Sequence, residues 1–210
     1  MTRLLIIGGG ELGRQVAHWA QTTGKHAVTG FVDDNMPVGE FSDGLPVLGG
    51  IADVPRLYDE KNFDEAFIAI GYIHFKLRRE LYQLLTGRNI PLATIIAPQV
   101  YVDPTARIGK GVIIYPGGVI DRETVIEDNV VLNLSCVIAH NSVIGRHCFL
   151  SPNVTVAGFT EIGESCFLGC SCTVTDNVKV ADNVIVGAAS LIRHDITEQG
   201  VYTGYGEKKR

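Results

Sequence analysis

The chain has 210 residues, a formal net charge of −5 and 46% hydrophobic residues, enough for one domain or two small ones with a buried core. The negative charge argues against nucleic acid as a partner, because a phosphate backbone needs a basic face to neutralise it. No apolar run approaches the roughly 20 residues that span a bilayer, and the first glycines come too early for a signal peptide. Together with an odd number of cysteines, five, these features predict a cytoplasmic, reducing environment.

Composition changes near Pro98 and predicts two domains. Residues 1–97 contain 15 Val and Ile against 11 Leu, whereas residues 98–210 contain 28 against 5. Valine and isoleucine favour strands, while leucine is more at home in helices. We therefore expect an α/β domain over 1–97 and an almost all-strand domain over 98–210.

Strands and helices alternate in the first domain. Apolar runs predict strands over 4–7, 28–32, 66–70 and 91–96, and helical spacing predicts helices over about 12–23, 52–60 and 77–87. Such alternation implies a parallel sheet covered on both faces, a small Rossmann-like fold.

A glycine-rich turn follows the first predicted strand. Its pattern, Gly8-x-Gly10-x-x-Gly13, matches the dinucleotide fingerprint, in which glycines let the backbone approach a diphosphate at a helix N-terminus. Asp33 lies twenty residues beyond Gly13, where a ribose-binding acid is expected. About 97 residues provide only one mononucleotide-binding half, so a single nucleotide diphosphate is favoured over NAD. The alternative is a structural turn flanked by solvated acids.

The second domain repeats every six residues. Sixteen consecutive positions, spaced by six from Val102 to Ile192, are all aliphatic, and this strict period is typical of a β-solenoid. Asparagines, which tolerate left-handed backbone, recur three residues after these positions and predict corners. They are Asn129, Asn141, Asn153, Asn177 and Asn183.

The cysteines fit the same register. Four of them, Cys136, Cys148, Cys166 and Cys172, occupy a small-residue position of the hexad, which predicts packing inside a narrow prism. A metal site at Cys170 and Cys172 is the alternative, which we disfavour because alternate residues of a strand point to opposite faces.

The hexads resemble those of the left-handed parallel β-helix (hexapeptide-repeat) acyltransferases, in which three hexads form one triangular coil. The order of a glycine turn over 8–13, Asp33-Asp34, an Ile-Ala-Ile-Gly segment over 68–71 and then the hexads is similar to the bacterial nucleotide-sugar N-acetyltransferases and to the related sialic acid O-acetyltransferases. The resemblance implies that residues 1–97 bind a nucleotide sugar. Its contacts would be Gly8, Gly10, Glu11, Leu12, Asp33, Asp34 and Gly71.

His140 matches the family's catalytic base. The segment 138–145 resembles the motif I-x-H-[DE]-x-x-I-G, whose histidine takes a proton from the acceptor. Two residues depart from the family. Asn141 stands where an acid usually orients the histidine, so either it serves as the orienter with an acid from elsewhere, or the base is weaker. Phe149 replaces a histidine that contacts the acetyl donor in some relatives. We expect His147, by contrast, to face water at a corner.

The resemblance also implies acetyl-CoA as co-substrate, no metal, and a homotrimer with active sites between neighbouring β-helices. Gly158 would supply an oxyanion N–H. The implied acetyl-CoA site comprises Asn133, Phe149, Ala157, Gly158, Cys170, Gly187 and Ala188. Lys208, Lys209 and Arg210 are candidates for its phosphates, although a frayed basic tail is the favoured interpretation of these residues.

The predicted function is N-acetylation of a nucleotide-diphosphate-linked amino sugar, a 4-amino-4,6-dideoxyhexose. Three alternatives stay open: a sugar O-acetyltransferase of the sialic acid type, a non-catalytic β-helix binding module, and a zinc carbonic anhydrase. The last needs three histidine ligands on neighbouring coils, whereas only His140 and His147 lie close in the repeat.

Overall fold

The structure, a computed structural model, describes residues 1–208 and divides between Ile95 and Ile96 into two compact units. Within the described chain, every helix is too short or too polar to cross a membrane. The first unit contains strands β1 (Thr2–Ile7), β2 (His26–Val32), β3 (Phe41–Ser42), β4 (Leu45–Gly49) and β5 (Glu65–Ile68), and helices α1 (Glu11–Thr22), α2 (Val54–Asp59) and α3 (Phe75–Gly87).

The sheet of the first unit has the order β3-β4-β2-β1-β5. Four of these strands are parallel, as predicted, but β3 runs antiparallel to β4 in a hairpin that the sequence pattern did not indicate. Ile7 at the end of β1 pairs with Val32 of β2 and with Ile68 of β5. The carboxyl ends of these three strands therefore meet at one edge of the sheet.

The prediction that residues 91–96 form a strand of this sheet is wrong. Leu92 forms only an isolated bridge with Ala66, whereas Ile95–Ile96 form β6, which belongs to a sheet of the β-helix. The physical reason lies in the hexad register, because Ile96 stands six residues before Val102 and so continues the repeat by one position.

The second unit is a left-handed parallel β-helix, as predicted. Each of the sixteen aliphatic positions is the last residue of a short strand. The strands are β7 (Tyr101–Val102), β8 (Arg107–Ile108), β9 (Ile113–Ile114), β10 (Val119–Ile120), β11 (Val125–Ile126), β12 (Val131–Leu132), β13 (Val137–Ile138), β14 (Val143–Ile144), β15 (Phe149–Leu150), β16 (Thr155–Val156), β17 (Glu161–Ile162), β18 (Phe167–Leu168), β19 (Thr173–Val174), β20 (Lys179–Val180), β21 (Val184–Val186) and β22 (Leu191–Ile192), followed by β23 (Gly200–Thr203) and β24 (Glu207–Lys208).

Together with β6, these strands form three sheets of six, five and eight strands, with β6 in the eight-stranded sheet. Each strand pairs with the third strand after it in the chain, as when Val119 of β10 pairs with Val137 of β13, so one coil takes 18 residues.

The six-stranded sheet is bounded by two stacks of turns. We call the stack that precedes it, with turns 133–136, 151–154, 169–172 and 187–190, the Cys170 edge. We call the stack that follows it, with turns 121–124, 139–142 and 157–160, the His140 edge.

Four of the five cysteines pack in the core of the prism. Cys136, Cys148, Cys166 and Cys172 are fully buried, and burial raises the pKa of the Cys136 and Cys172 thiols to about 12. Cys170 is exposed, on the opposite side of the turn from Cys172. The five corner asparagines all adopt positive φ, between 56° and 60°. The four buried cysteines are therefore packing residues, and the asparagines form the corners, both as predicted.

Candidate active site

The predicted nucleotide-sugar residues gather at one edge of the first unit's sheet. Gly8 follows β1, Asp33 and Asp34 follow β2, and Gly71 lies three residues beyond β5. The Gly8 N–H donates to the Val32 carbonyl at 2.8 Å, which ties the ends of β1 and β2 together. Parallel sheets bind ligands at this edge, outside the carboxyl ends of their strands.

Two glycines of the turn are required by close packing. Gly8 has φ +106°, and a Cβ there would lie 2.6 Å from the Ala69 carbonyl oxygen. A Cβ on Gly13 would overlap the Gly8 carbonyl. Gly10 differs, because a Cβ there meets nothing within 4 Å. Gly10 caps α1 without a side-chain hydrogen bond, which leaves the first N–H groups of the helix open to an anion.

The two acids after β2 fasten loops at this edge. The Asp33 carboxylate accepts hydrogen bonds from the Gly9 and Asn35 N–H groups, both at 2.8 Å. The Asp34 carboxylate accepts the Ile51 N–H, also at 2.8 Å. Asp33 therefore fixes the glycine turn itself.

Glu11, at the start of α1, is turned along the helix. Its carboxylate forms an ion pair with Arg14 at 2.6 Å and accepts a longer hydrogen bond from Gln15. The hydrogen bond from Arg14 lowers the pKa of the Glu11 carboxyl. The Glu11 charge is therefore compensated within the first turns of α1. Leu12, next in the first turn, is half-buried.

His140 lies half-buried on the His140 edge, with Gly158 directly beneath its ring in the next coil. A Cβ on Gly158 would lie 2.6 Å from His140 Cε1, 2.9 Å from Nε2 and 3.1 Å from Nδ1. The imidazole therefore occupies space that only glycine leaves free.

A hydrogen-bond chain through Asn141 links His140 to the carboxylate of Glu123. His140 Nδ1 lies 3.2 Å from Asn141 Oδ1, and Asn141 Nδ2 donates to Glu123 Oε2 at 2.5 Å. Glu123 belongs to the preceding coil and also forms an ion pair with Arg122 at 3.0 Å. Glu123 is thus an acid from another coil that contacts the amide beside His140. The motif comparison missed Glu123.

Phe159 is a second residue of this edge that the sequence analysis missed. Its ring meets that of His140 edge to face, with centroids 5.1 Å apart, yet the residue is 55% exposed and has φ +56°.

The prediction that His147 faces water is wrong. It does occupy a corner, but it is buried, and its Nδ1 lies 2.9 Å from Asn129 Nδ2. A neighbouring corner amide takes the place of water.

The predicted acetyl-CoA residues fall in three places. Asn133, Cys170, Gly187 and Ala188 lie on the Cys170 edge, whereas Ala157 and Gly158 lie on the His140 edge. Phe149 is buried on the eight-stranded sheet, against Phe167.

One of the three basic residues of the predicted tail lies within the described structure. Lys208 forms an ion pair with Glu198 at 2.6 Å, and Lys209 and Arg210 lie outside the described residues.

Over residues 1–208, no group of three or more His, Cys, Asp or Glu side chains is placed to hold a metal ion.

Solved structures resemble the chain along its whole length. The acetyltransferase domain of PglB from Neisseria gonorrhoeae FA1090 is 25% identical, with complete coverage of both chains and a TM-score of 0.92. PerB from Caulobacter crescentus, in complex with CoA and GDP-perosamine, is 28% identical, covering 100% of this chain and 98% of that chain with a TM-score of 0.92. The alanine variant of one histidine in GDP-perosamine N-acetyltransferase from Caulobacter crescentus, with CoA and GDP-perosamine, is 27% identical, with the same coverage and a TM-score of 0.93. Curated protein sequences gave no match.

Two family models match the chain. Residues 96–203 match the GMPPB C-terminal domain, and residues 3–85 match the PglD N-terminal domain. These matches place the chain in the superfamily of the left-handed β-helix acyltransferases. Within this superfamily, the chain belongs to the bacterial nucleotide-sugar N-acetyltransferases. It is therefore an enzyme of the acyltransferase class.

Proposed function

We propose that the protein transfers the acetyl group of acetyl-CoA to the amino group of a nucleotide-diphosphate-linked sugar of the 4-amino-4,6-dideoxyhexose class. The observation that carries the proposal is the His140 edge, where Gly158 and Asn141 hold an imidazole with Nδ1 occupied and Nε2 free to act as a base. Support comes from relatives that bind CoA with GDP-perosamine. The proposed location is the cytoplasm, on the strength of the odd number of cysteines, which indicates a reducing environment.

The proposed reaction is direct attack of the sugar amine on the thioester carbonyl. A nitrogen–carbon bond forms while His140 Nε2 takes one proton from the amine. The tetrahedral intermediate then collapses, the carbon–sulfur bond breaks, and the CoA thiolate receives that proton from the imidazolium. Histidine suits both proton transfers near neutral pH.

Gly158 is our candidate for the oxyanion contact. At the second position of two other turns the backbone N–H donates to the side chain of the preceding residue: that of Arg122 donates to Asp121 at 2.7 Å and that of Leu134 donates to Asn133 at 2.8 Å. The residue before Gly158 is alanine, which has no polar side chain to accept such an N–H. This N–H, next to His140, is suited to a developing oxyanion.

In our proposal the first domain, residues 1–97, holds the nucleotide sugar at the carboxyl edge of its sheet. The open N-terminus of α1 at Gly10, Glu11 and Leu12 would receive the diphosphate, and the loops carrying Asp33, Asp34 and Gly71 would border the nucleoside. The second domain, residues 98–210, would carry out the acetyl transfer.

We further propose a homotrimer in which each active site is shared. His140 and the predicted pantetheine contacts lie on two edges of one prism, separated by the six-stranded sheet. The outer face of that sheet is uncharged, which suits packing against another prism. Its outward residues are Tyr101, Val119, Val137, Thr155, Thr173 and Leu191. His140 of one subunit would then face the Cys170 edge of the next.

The function is tested by mixing the protein with acetyl-CoA and a panel of UDP-, dTDP- and GDP-linked 4-amino-4,6-dideoxyhexoses while following release of the CoA thiol. We expect release with at least one amine and with none of the corresponding 4-hydroxy sugars. Release with sialic acid instead would establish O-acetylation, and no release with any amine would contradict the proposal.

Asp33→Ala is expected to raise the KM for the nucleotide sugar about tenfold, the worth of one hydrogen bond to a charged group. The change removes the acceptor that fixes the Gly9 N–H and loosens the glycine turn. Steady-state kinetics should show an unchanged KM for acetyl-CoA. Asp59→Asn, at an exposed carboxylate in α2, is the matched control. Equal effects of the two variants would dissociate Asp33 from the sugar site.

A further inference from the structure

We propose that Glu123 is a positioning residue for His140, acting through the Asn141 amide in place of the acid that adjoins this base in the family. The inference rests on the proposed function. It assigns a catalytic contribution to a residue that lies outside the motif and one coil away from the base.

The hydrogen-bond chain has only one consistent direction. An ionised carboxylate only accepts hydrogen bonds, so the Asn141 group that faces Glu123 must be its NH2. The Asn141 carbonyl oxygen therefore faces His140 Nδ1, which must carry a proton to donate to it. In the neutral ring, the remaining nitrogen, Nε2, then carries no proton and presents the lone pair that a base requires.

Glu123 has the charge that this role needs. Hydrogen bonds from Arg122 and Asn141, in that order, lower the pKa of the Glu123 carboxyl and keep it ionised at neutral pH. When His140 accepts a proton from the amine, a negative charge stands behind Asn141 and favours the imidazolium. A bare amide beside the histidine would orient the ring without supplying that charge.

The β-helix itself brings the two residues together. Glu123 and Asn141 are 18 residues apart, which is one coil, and both occupy the corner position with positive φ, at 56° and 57°. The Asn141 N–H donates to the Arg122 carbonyl at 3.0 Å, so the turns are stacked in register. A residue on the preceding coil can thus replace an acid that is missing beside the base.

Glu123→Gln is expected to lower kcat about tenfold, the equivalent of one charge-assisted hydrogen bond, with both KM values unchanged. Glutamine keeps an oxygen that can accept from Asn141 but removes the charge, so the acidic limb of the kcat–pH profile should move to lower pH. The control is Glu164→Gln, which removes a half-buried glutamate of another turn that is also paired with an arginine, Arg146. Equal losses in the two variants, or an unmoved pH profile, would overturn the role of the charge.

A rescue separates positioning from general stability. Asn141→Asp combined with Glu123→Gln places the carboxylate directly beside His140 and an amide behind it. We expect this double variant to recover most of the activity that Glu123→Gln loses. Activity no higher than that of the single variant would contradict the role, provided that thermal unfolding shows both variants to be folded.

The tautomer of His140 is measured by nitrogen-15 NMR of the histidine side chains, which requires no turnover. We expect the Nδ1–H form in the unaltered protein and a shift toward Nε2–H in Glu123→Ala, where Asn141 is free to rotate. An Nε2–H ring in the unaltered protein, or no shift in Glu123→Ala, would overturn the inference. Because this readout is independent of the substrate, failure of the inference stays distinct from failure of the proposed acetyl transfer, which the substrate panel detects.

Discussion

Replacing His140 with asparagine is expected to reduce kcat roughly 10²–10⁴-fold, the usual contribution of a general base. Asparagine retains polarity and similar size but cannot accept a proton from the amine. His140 lies on a turn at the surface of the prism, so the variant should fold normally and still bind both substrates. Thiol release under saturating substrates measures the loss, and calorimetric titration with CoA checks binding.

Mixing two inactive variants tests whether the site is shared. Ala188→Trp fills the Cys170 edge, and His140→Asn removes the base on the other edge. If subunits are exchanged by unfolding and refolding together, a fraction of the interfaces pairs an intact His140 with an intact Cys170 edge, and activity should return. No recovery would place both edges of one site in the same subunit, and near-normal turnover by His140→Asn alone would remove His140 as the base.

Gly158→Ala is expected to lower kcat about 100-fold, because displacing a catalytic group by about 1 Å has effects of this size. The new methyl group would lie 2.6 Å from His140 Cε1, so the ring must move away from its position over the turn. Alanine keeps the backbone N–H, so the loss reports the displaced imidazole rather than a missing oxyanion donor. Single-turnover kinetics with bound acetyl-CoA isolates the chemical step.

The control for this prediction is the same substitution without the histidine ring. In a His140→Ala background the space above Gly158 is open, so Gly158→Ala should lower the melting temperature less than it does in the unaltered protein. The two substitutions are then coupled, as expected for residues in direct contact. Additive effects on the melting temperature would show that the methyl group acts elsewhere.

The β-helix was predictable because every strand of the coil has the same packing requirement. One aliphatic side chain every six residues has to point into the prism, so sixteen positions from Val102 to Ile192 indicated each strand of the regular coils. The first domain gave weaker signals. The hairpin of β3 and β4 rests on a two-residue strand with no alternation to detect, and Ile96 was assigned to the wrong sheet because its local apolar run outweighed the longer register.

The candidate site was only partly predictable. A local motif indicated His140, and the glycine pattern indicated the turn at β1, but Glu123 and Phe159 are remote in sequence. Both lie 18 residues from Asn141, on either side, so the coil length would have identified them once each corner position was aligned with its neighbours. Asn129 and His147 are also 18 residues apart, so the same alignment would have paired them, but the burial of the imidazole depends on side-chain packing that the repeat does not indicate.

The buried thiols can report where the β-helix unfolds locally, because each becomes reactive only when its own coil opens. Cys136, Cys148, Cys166 and Cys172 are inaccessible while their coils are closed, whereas Cys170 is exposed on the folded chain. Since each coil touches only its neighbours, a solenoid can open segment by segment rather than all at once. The order in which these sulfurs become reactive would therefore report which coils separate first, with Cys170 as the reference that reacts without any unfolding.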